Sequence, residues 1–321
     1  MASILDILNK EQLEAVETIN GPVMVFAGAG TGKTKTLTAR IAYMVAECNI
    51  KPYNILAITF TKKATNEMKE RLISILDEDA KYLNISTIHS LCVKILRRFI
   101  DRLEYERNFE IIDDEDVQKI LSDIFKQQDV DKKAFSTKLA AKMIGDFKNG
   151  ISQLNSIVMP IYTEYEAYLK KNNLLDFDDL LLKTEELFKK CPDVLEYYQR
   201  LYQYILVDEF QDTNKVQYNI IKMLASSLEN LFVVGDDDQS IYSFRGATID
   251  NMLNFTKDYP NAKVVKLLKN YRSHNSILKG ANAVIKNNQI REPKALYSDI
   301  EGSLNDVIVQ EAYYYEAETR F

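Results

Sequence analysis

Apolar residues along this chain follow two rhythms. Runs at Val23 to Phe26, Ile55 to Thr59, Leu231 to Val234 and Ala262 to Leu267 have the length and residue types of buried strands, and Asn84 to Thr87 reads as another short one. Tyr204 to Glu209 is an apolar strand that ends abruptly in two carboxylates. Between these runs apolar positions are spaced by four, as at Leu37, Ile41 and Val45, which predicts a helix over Thr34 to Ala46. Further helices are expected from T-F-T-K-K-A-T to about Leu76 and over Ile88 to Arg102. Ser3 to Ile19 reads as one or two short amphipathic helices, with Asn9 as N-cap of the one holding Gln12. Strands alternating with helices on this spacing predict an α/β fold with a parallel sheet covered on both faces. From about Leu103 to Asn173 the strand signals fade and the pattern turns helical and strongly charged, as in a helical insertion. Ala281 to Lys286 looks helical, and Val307 to Tyr315 is a candidate strand.

Composition narrows the class. At 321 residues the chain is long enough for about two domains, and 46% hydrophobic with 27% charged residues is the balance of a globular protein. A net charge of −6 gives no global sign of a nucleic-acid partner, so any basic surface must be local. Cys48, Cys92 and Cys191 are odd in number and scattered, which argues for free thiols and against a zinc site. No apolar run approaches the roughly 20 residues of a membrane span, and Met1 to Lys10 does not read as a signal peptide, so a cytoplasmic protein is expected.

The candidate chemistry sits where strands end. After Val23 to Phe26 comes A-G-A-G-T-G-K-T, in which Gly28, Gly30 and Gly32 let consecutive N–H groups curl toward phosphate oxygens at a helix N-terminus. Lys33 would reach the β- and γ-phosphates and the Thr34 hydroxyl would hold Mg²⁺. The same residues also suit a strand-to-helix turn with no ligand. Asp208 and Glu209 supply what such a loop lacks, a carboxylate for Mg²⁺ and one to orient or deprotonate water. The acidic run Asp113 to Asp116, and Asp176, Asp178 and Asp179, could be metal ligands but are better explained as helix caps and dipole partners. In a parallel sheet all these turns gather at one edge.

With D-E-F-Q-D-T (Asp208 to Thr213) and G-D-D-D-Q-S-I-Y-S-F-R-G-A (Gly235 to Ala247), the chain resembles the UvrD/Rep/PcrA group of superfamily 1 DNA helicases. The likeness continues through L-N-K-E-Q-L-E-A-V (Leu8 to Val16), T-F-T-K-K-A (Thr59 to Ala64), S-T-I-H-S (Ser86 to Ser90) and N-Y-R-S (Asn270 to Ser273). The resemblance implies a phosphate-loop NTPase (RecA-like) sheet over 1–103 and 174–274, an inserted all-helical subdomain over 104–173, and the opening of a second motor domain over 275–321. It places ATP on Ala27, Gly28, Ala29, Gly30, Thr31, Gly32, Lys33, Thr34 and Lys35, with Gln12 reading adenine and Arg40 and Tyr271 flanking it. Arg272 would clamp the γ-phosphate, Gln239 would sense it, and Thr34 with Asp208 would hold Mg²⁺. Asp236 to Asp238 are read as hydrogen-bonding and water-orienting rather than as a second metal site.

On the DNA side the resemblance implies that Phe60, Tyr242 and Phe244 stack on single-stranded bases. Lys62, Lys63, His89 and Arg245 lie beside them and would contact the strand's phosphates or sugars, with Thr59 also on the DNA side; His89 reads equally well as a satisfied structural histidine. Many relatives carry Trp at the position of Phe244 and Asn at that of Lys62. The implied activity is ATP-dependent 3′-to-5′ movement on single-stranded DNA, with duplex junctions as partners and no membrane role. Two other readings are the helicase part of a RecB-like helicase-nuclease and a non-catalytic nucleotide-gated DNA-binding module. The later motifs of the family are absent from this sequence, so the chain is expected to bind nucleotide weakly, with little ATPase and no unwinding of its own.

Overall fold

The computed structural model describes residues 5–130, 135–240, 246–289 and 291–303. Eight strands are present among them: β1 (Val23–Ala27), β2 (Ile55–Thr59), β3 (Asn84–Thr87), β4 (Glu110–Ile111), β5 (Leu174–Leu175), β6 (Tyr204–Val207), β7 (Leu231–Gly235) and β8 (Lys263–Leu267). Six of them form one sheet in the order β3-β2-β6-β7-β1-β8, with every pairing parallel. In register, Val25 lies between Val234 and Val265, and Ile58 between Val207 and Ser86.

The strands are apolar throughout because both faces are covered, and their side chains divide by the two-residue period of an extended chain. Met24, Phe26, Leu56, Ile58, Ile205, Val207, Leu231 and Val233 point to one face. There they meet α4 (Ile88–Phe99), α8 (Phe177–Lys190), α9 (Pro192–Leu201) and α10 (Lys215–Ala225) through Leu91, Ile95, Leu181, Tyr198 and Ile220. Val23, Val25, Ala27, Ala57, Leu206, Phe232 and Val234 point the other way. They pack on α1 (Lys10–Glu17), α2 (Lys33–Ala46) and α3 (Lys62–Leu76) through Ala15, Leu37, Ile41, Met68 and Leu72. Short helices α11 (Asp250–Leu253) and α12 (Phe255–Asp258) precede β8, and α13 (Asn275–Ile285) follows it.

A third apolar cluster stands apart from the sheet. It is built by α5 (Asp114–Gln127), α6 (Thr137–Lys148) and α7 (Val158–Lys171) around Leu121, Phe125, Ile144, Ile161 and Tyr165. Asp113 caps α5, its carboxylate accepting from the amides of Glu115 and Asp116, so the acidic run there serves the helix start. Asp176 and Asp179 form a reciprocal capping box at the start of α8. Where the sequence pattern carries no strand signal, β4 and β5 form a two-residue parallel pair at the margin of this layer. Two residues are too few for a period to be read. The predicted helix from Ile88 ends at Phe99 and tightens into a 3-10 turn over Ile100–Leu103. The candidate strand at Val307 to Tyr315 lies outside the described residues.

Candidate nucleotide and nucleic-acid site

Because the six strands are parallel, the turns after β1, β2, β3, β6, β7 and β8 all open on one edge of the sheet. After β1 the chain makes its glycine-rich turn into α2. Gly30 and Gly32 have φ of 70° and 89°, in the left-handed region that side chains resist. Space forbids a side chain there as well, since a Cβ on Gly30 would lie 2.6 Å from Asn270 Nδ2, and one on Gly32 would lie 2.7 Å from Gln12 Nε2. Asn270 donates to the Ala29 carbonyl at 2.6 Å and the Tyr271 amide to that of Gly30 at 2.9 Å, so the turn after β8 braces the loop after β1.

Gln12 is fully buried beneath this loop, donating to the Thr31 carbonyl at 2.9 Å and accepting from the Asn9 amide at 3.1 Å in the capping box of α1. The Asn9 side chain also donates to the Tyr271 hydroxyl at 3.0 Å. The fold thereby brings Gln12 and half-exposed Tyr271 to one side of the loop, where Lys35 is held by the Ile7 carbonyl at 2.6 Å. Arg40 does not join them, which corrects the expectation that its guanidinium flanks a base. It is 2% exposed, donates to the carbonyls of Ala15 and Ile19 at 2.7 and 3.1 Å, and lies 4.5 Å above the Phe232 ring. Its position on α2 faces the core, and burial pulls its pKa down to about 9. It fastens α1 to the sheet.

Lys33 points from the first turn of α2 to Glu209, Nζ to Oε2 at 2.8 Å, and the same oxygen accepts from Gln211 Nε2 at 2.8 Å. Glu209 has a left-handed backbone, φ 48° and ψ 48°, a conformation that costs a non-glycine residue about 1–3 kcal/mol and is kept only where its surroundings fix it. Asp208 continues β6, its amide donating to the Ile58 carbonyl at 2.9 Å and its Oδ1 accepting from the Glu209 amide at 3.0 Å. Burial, and then the neighbouring Glu209, push the Asp208 carboxyl up to about 6, against the pull of Lys33. A cation beside this buried carboxyl would favour its ionised form, so Asp208 suits a divalent metal.

Gln211 was not singled out from the sequence, although it sits inside D-E-F-Q-D-T. Its Oε1 accepts from the Asp236 amide at 3.0 Å, so it ties the turn after β6 to the turn after β7. Gln239 in turn donates through Nε2 to Asp236 Oδ2. The three consecutive acids, whose ligand atoms lie within 4.8 Å of one another, are paired with basic residues: Lys294 bonds all three and Arg291 reaches Asp238 at 2.7 Å. Arg272 is exposed, its amide donating to Asn270 Oδ1 at 2.8 Å.

Beside this edge a cavity of about 850 Å³ opens between the ends of β2, β3 and β6 and the helical layer. Phe60, His89 and Phe177 line it, the last two stacked at 3.9 Å and 19°. Burial drives the His89 pKa down to about 4, so the ring is neutral at pH 7 and offers stacking and hydrogen bonds rather than charge. Carboxylates outnumber cations among the described residues of the walls, with Asp113, Asp114, Asp146, Asp178, Asp208, Glu209 and Asp212 against Lys142. Such walls repel phosphate and admit flat, uncharged groups. Asn149 bridges the layers, accepting from Asn214 at 2.7 Å and donating to Asp178 at 2.9 Å. The Thr59 hydroxyl is engaged within 2.6 Å of Thr65 Oγ1, while Lys62 and Lys63 stand exposed on the first turn of α3, capped by Thr61. Tyr242, Phe244 and Arg245 lie outside the described residues. Phe177, 57% exposed, was not anticipated: a lone aromatic between acidic caps leaves no periodic signal.

A phosphate loop leading into α2, a carboxylate pair at the end of β6 and a six-stranded parallel sheet between helices define the RecA-like α/β fold of phosphate-loop proteins. Within that class the chain belongs to the UvrD/REP helicase family, whose model for the N-terminal domain matches residues 8–260. It is 47% identical over 330 residues to the ATP-dependent DNA helicase PcrA of Staphylococcus aureus (strain Mu50 / ATCC 700699), covering 99% of this chain and 44% of that protein. The likeness to the ATP-dependent DNA helicase PcrA of Bacillus subtilis (strain 168) is 49% over 322 residues, covering 97% and 43%. The chain therefore spans less than half the length of these relatives. Among the described residues no helix is long and apolar enough to cross a membrane.

Proposed function

We propose that this chain is the ATP-binding motor part of an ATP-dependent DNA helicase that moves along single-stranded DNA. The observation that carries the reading is the Lys33–Glu209 ion pair at 2.8 Å at the mouth of a phosphate loop. Phosphates of ATP entering the loop compete with Glu209 for the Lys33 ammonium, because they bring more negative charge and the loop's amides as well. As Lys33 turns to the phosphates, Glu209 becomes the base that orients a water toward the γ-phosphate. Asp208 and Thr34 would hold Mg²⁺, which supplies charge neutralisation across the phosphates. Gln12, Lys35 and Tyr271 bound the base, Arg272 clamps the γ-phosphate and Gln239 senses it. Bases of the strand enter the acidic-walled cavity and stack near Phe60, His89 and Phe177, while Lys62 and Lys63 offer charge to the backbone outside it. Residues 104–173 form the inserted helical subdomain that closes the far wall, and the strand moves 3′ to 5′.

Nucleotide binding by this chain tests the reading directly, with a fluorescent ATP analogue and Mg²⁺. Lys33→Ala should lose at least about tenfold in affinity, the scale of one charge-assisted contact. Glu209→Gln should bind as well as the wild type or better, since its loss frees Lys33. Failure of Glu209→Gln to bind any nucleotide would show that Glu209 builds the pocket rather than serving as the base.

A further inference from the structure

The acidic turn after β7 is neutralised from an unexpected place, the segment that follows α13. Lys294 is 2% exposed in its side chain; its Nζ lies 3.1 Å from Asp236 Oδ1 and 2.7 Å from Asp238 Oδ2, and it also donates to Asp237 Oδ1. An ammonium has three donors, and each finds a different carboxylate. Burial works against the charge, but Asp236 and its neighbours outweigh it and raise the Lys294 pKa. Asp236 is the branch point of the network. Its Oδ2 holds Gln239, and its amide holds Gln211, which in turn reaches Glu209 Oε2 at 2.8 Å.

We propose that Lys294 is a positioning residue for nucleotide sensing: by fixing the Asp236 carboxylate it orients Gln239 toward the γ-phosphate. The inference rests on the ATP-motor reading above. Without the ammonium, Arg291 still holds Asp238 and the Glu292 amide still holds Asp237, but Asp236 loses its cation beside two like charges, and its side chain turns away. Gln239 then loses its anchor. The segment carrying Lys294 is also tied down elsewhere, by Lys266 on β8, which pairs with Glu292 at 2.6 Å and donates to the Pro293 carbonyl at 3.1 Å. Lys266 itself touches none of the three acids, although the amide of its partner Glu292 donates to Asp237 Oδ2 at 2.6 Å; replacing Lys266 therefore loosens the segment while every direct contact to the acids keeps its donor.

The test compares the affinities of this chain for a non-hydrolysable ATP analogue and for ADP, each with Mg²⁺, in Lys294→Met, Gln239→Ala, the double variant and Lys266→Met. Lys294→Met should cut the preference for the ATP analogue about tenfold, leaving ADP affinity within about twofold, as expected for one charge-assisted hydrogen bond. Gln239→Ala should do the same and the double variant no more, while Lys266→Met keeps the wild-type preference. Equal loss of both nucleotides in Lys294→Met, additive losses in the double variant, or loss of preference in Lys266→Met would each overturn the proposal. If Lys294→Met does not melt cooperatively, Lys294→Gln, neutral but still a donor, is read by the same criteria. A wild-type chain that binds neither nucleotide would overturn the ATP reading itself, whereas one that binds both without preference would overturn only the role given to Lys294.

Discussion

Two lysines, one at the sheet edge and one at the helical layer, are surrounded by carboxylates in very different ways. Among the described residues Lys33 has one ion-pair partner, Glu209, in a pair whose side chains are 10% and 34% exposed. Lys148, at the end of α6, is fully buried with Glu166, Asp176 and Asp179 each at 2.7 Å, and Tyr165 donates to Asp176 at 2.9 Å. The first arrangement can be exchanged: a phosphate can take the place of Glu209 at little cost. The second cannot, because a displaced Asp176 or Asp179 would be left buried without a cation. Burial holds the Asp179 carboxyl up at about 7, and despite burial the ammonium pulls Asp176 below the usual range. A lysine surrounded by acids is thus a lock or a switch according to how many partners it has and whether solvent reaches them.

The largest effect should follow from breaking the lock. Lys148→Met leaves the buried carboxylates of Asp176 and Asp179 without their cation, while Glu166 keeps Lys183 at 3.5 Å, and should cost about 3–5 kcal/mol of stability, measured by urea unfolding of this chain. Lys33→Ala should cost no more than about 1 kcal/mol in the same experiment, since the carboxylate it leaves is 34% exposed and still accepts from Gln211. Equal losses from the two substitutions would erase the distinction between lock and switch.

The lock also places a group that faces the cavity. Asp176 caps α8, so the residues gripped by Lys148 fix the start of that helix, and Phe177 is its first residue. Phe177→Ala should weaken binding of a labelled single-stranded oligonucleotide by about 1–3 kcal/mol, the range for one base–aromatic stack. Nucleotide affinity and the urea midpoint should stay unchanged, because the ring is 57% exposed. Undiminished oligonucleotide binding would remove Phe177 from the DNA path and leave stacking in the cavity to Phe60 and His89.

Much of this was legible in the sequence, for identifiable reasons. The strands β2 and β3 read directly because each is a short run set between stretches of helical period, and the phosphate loop read because its glycines and Lys33 lie within one short stretch. Contacts between distant segments did not. Arg40 looks the same in sequence whether it faces a ligand or the Ala15 carbonyl; only the rotation of α2 on the sheet decides, and that rotation turns it inward. Lys294 follows the acids it neutralises by more than fifty residues, and no local pattern joins them. Phe177 interrupts a run of acids, and its exposure comes from where the helical layer ends.

The smallest effect concerns the switch side and is the most specific. The Asp208 carboxyl, raised to about 6, holds its proton more tightly in the fold than in the unfolded chain, where about 3.9 is ordinary. Its contribution to stability is therefore present below the ordinary carboxylate range and lost as pH rises through about 6. A divalent cation needs the ionised form, so the Mg²⁺-dependent part of nucleotide affinity should rise with pH over the same interval. Between pH 7.5 and 6 the fraction ionised falls by half, which predicts only about a twofold loss, steepening to about tenfold by pH 5. Asp208→Asn should remove both the Mg²⁺ increment and its inflection, whereas Asp212→Asn, at a neighbouring carboxyl also raised to about 6 by burial, should leave them in place. An inflection that survives in Asp208→Asn and disappears in Asp212→Asn would move the cation from the strand end to the cavity wall. The exchangeable charge of this site would then lie on the DNA side of the edge, and the contrast with Lys148 would have to be redrawn around Asp212 rather than Lys33.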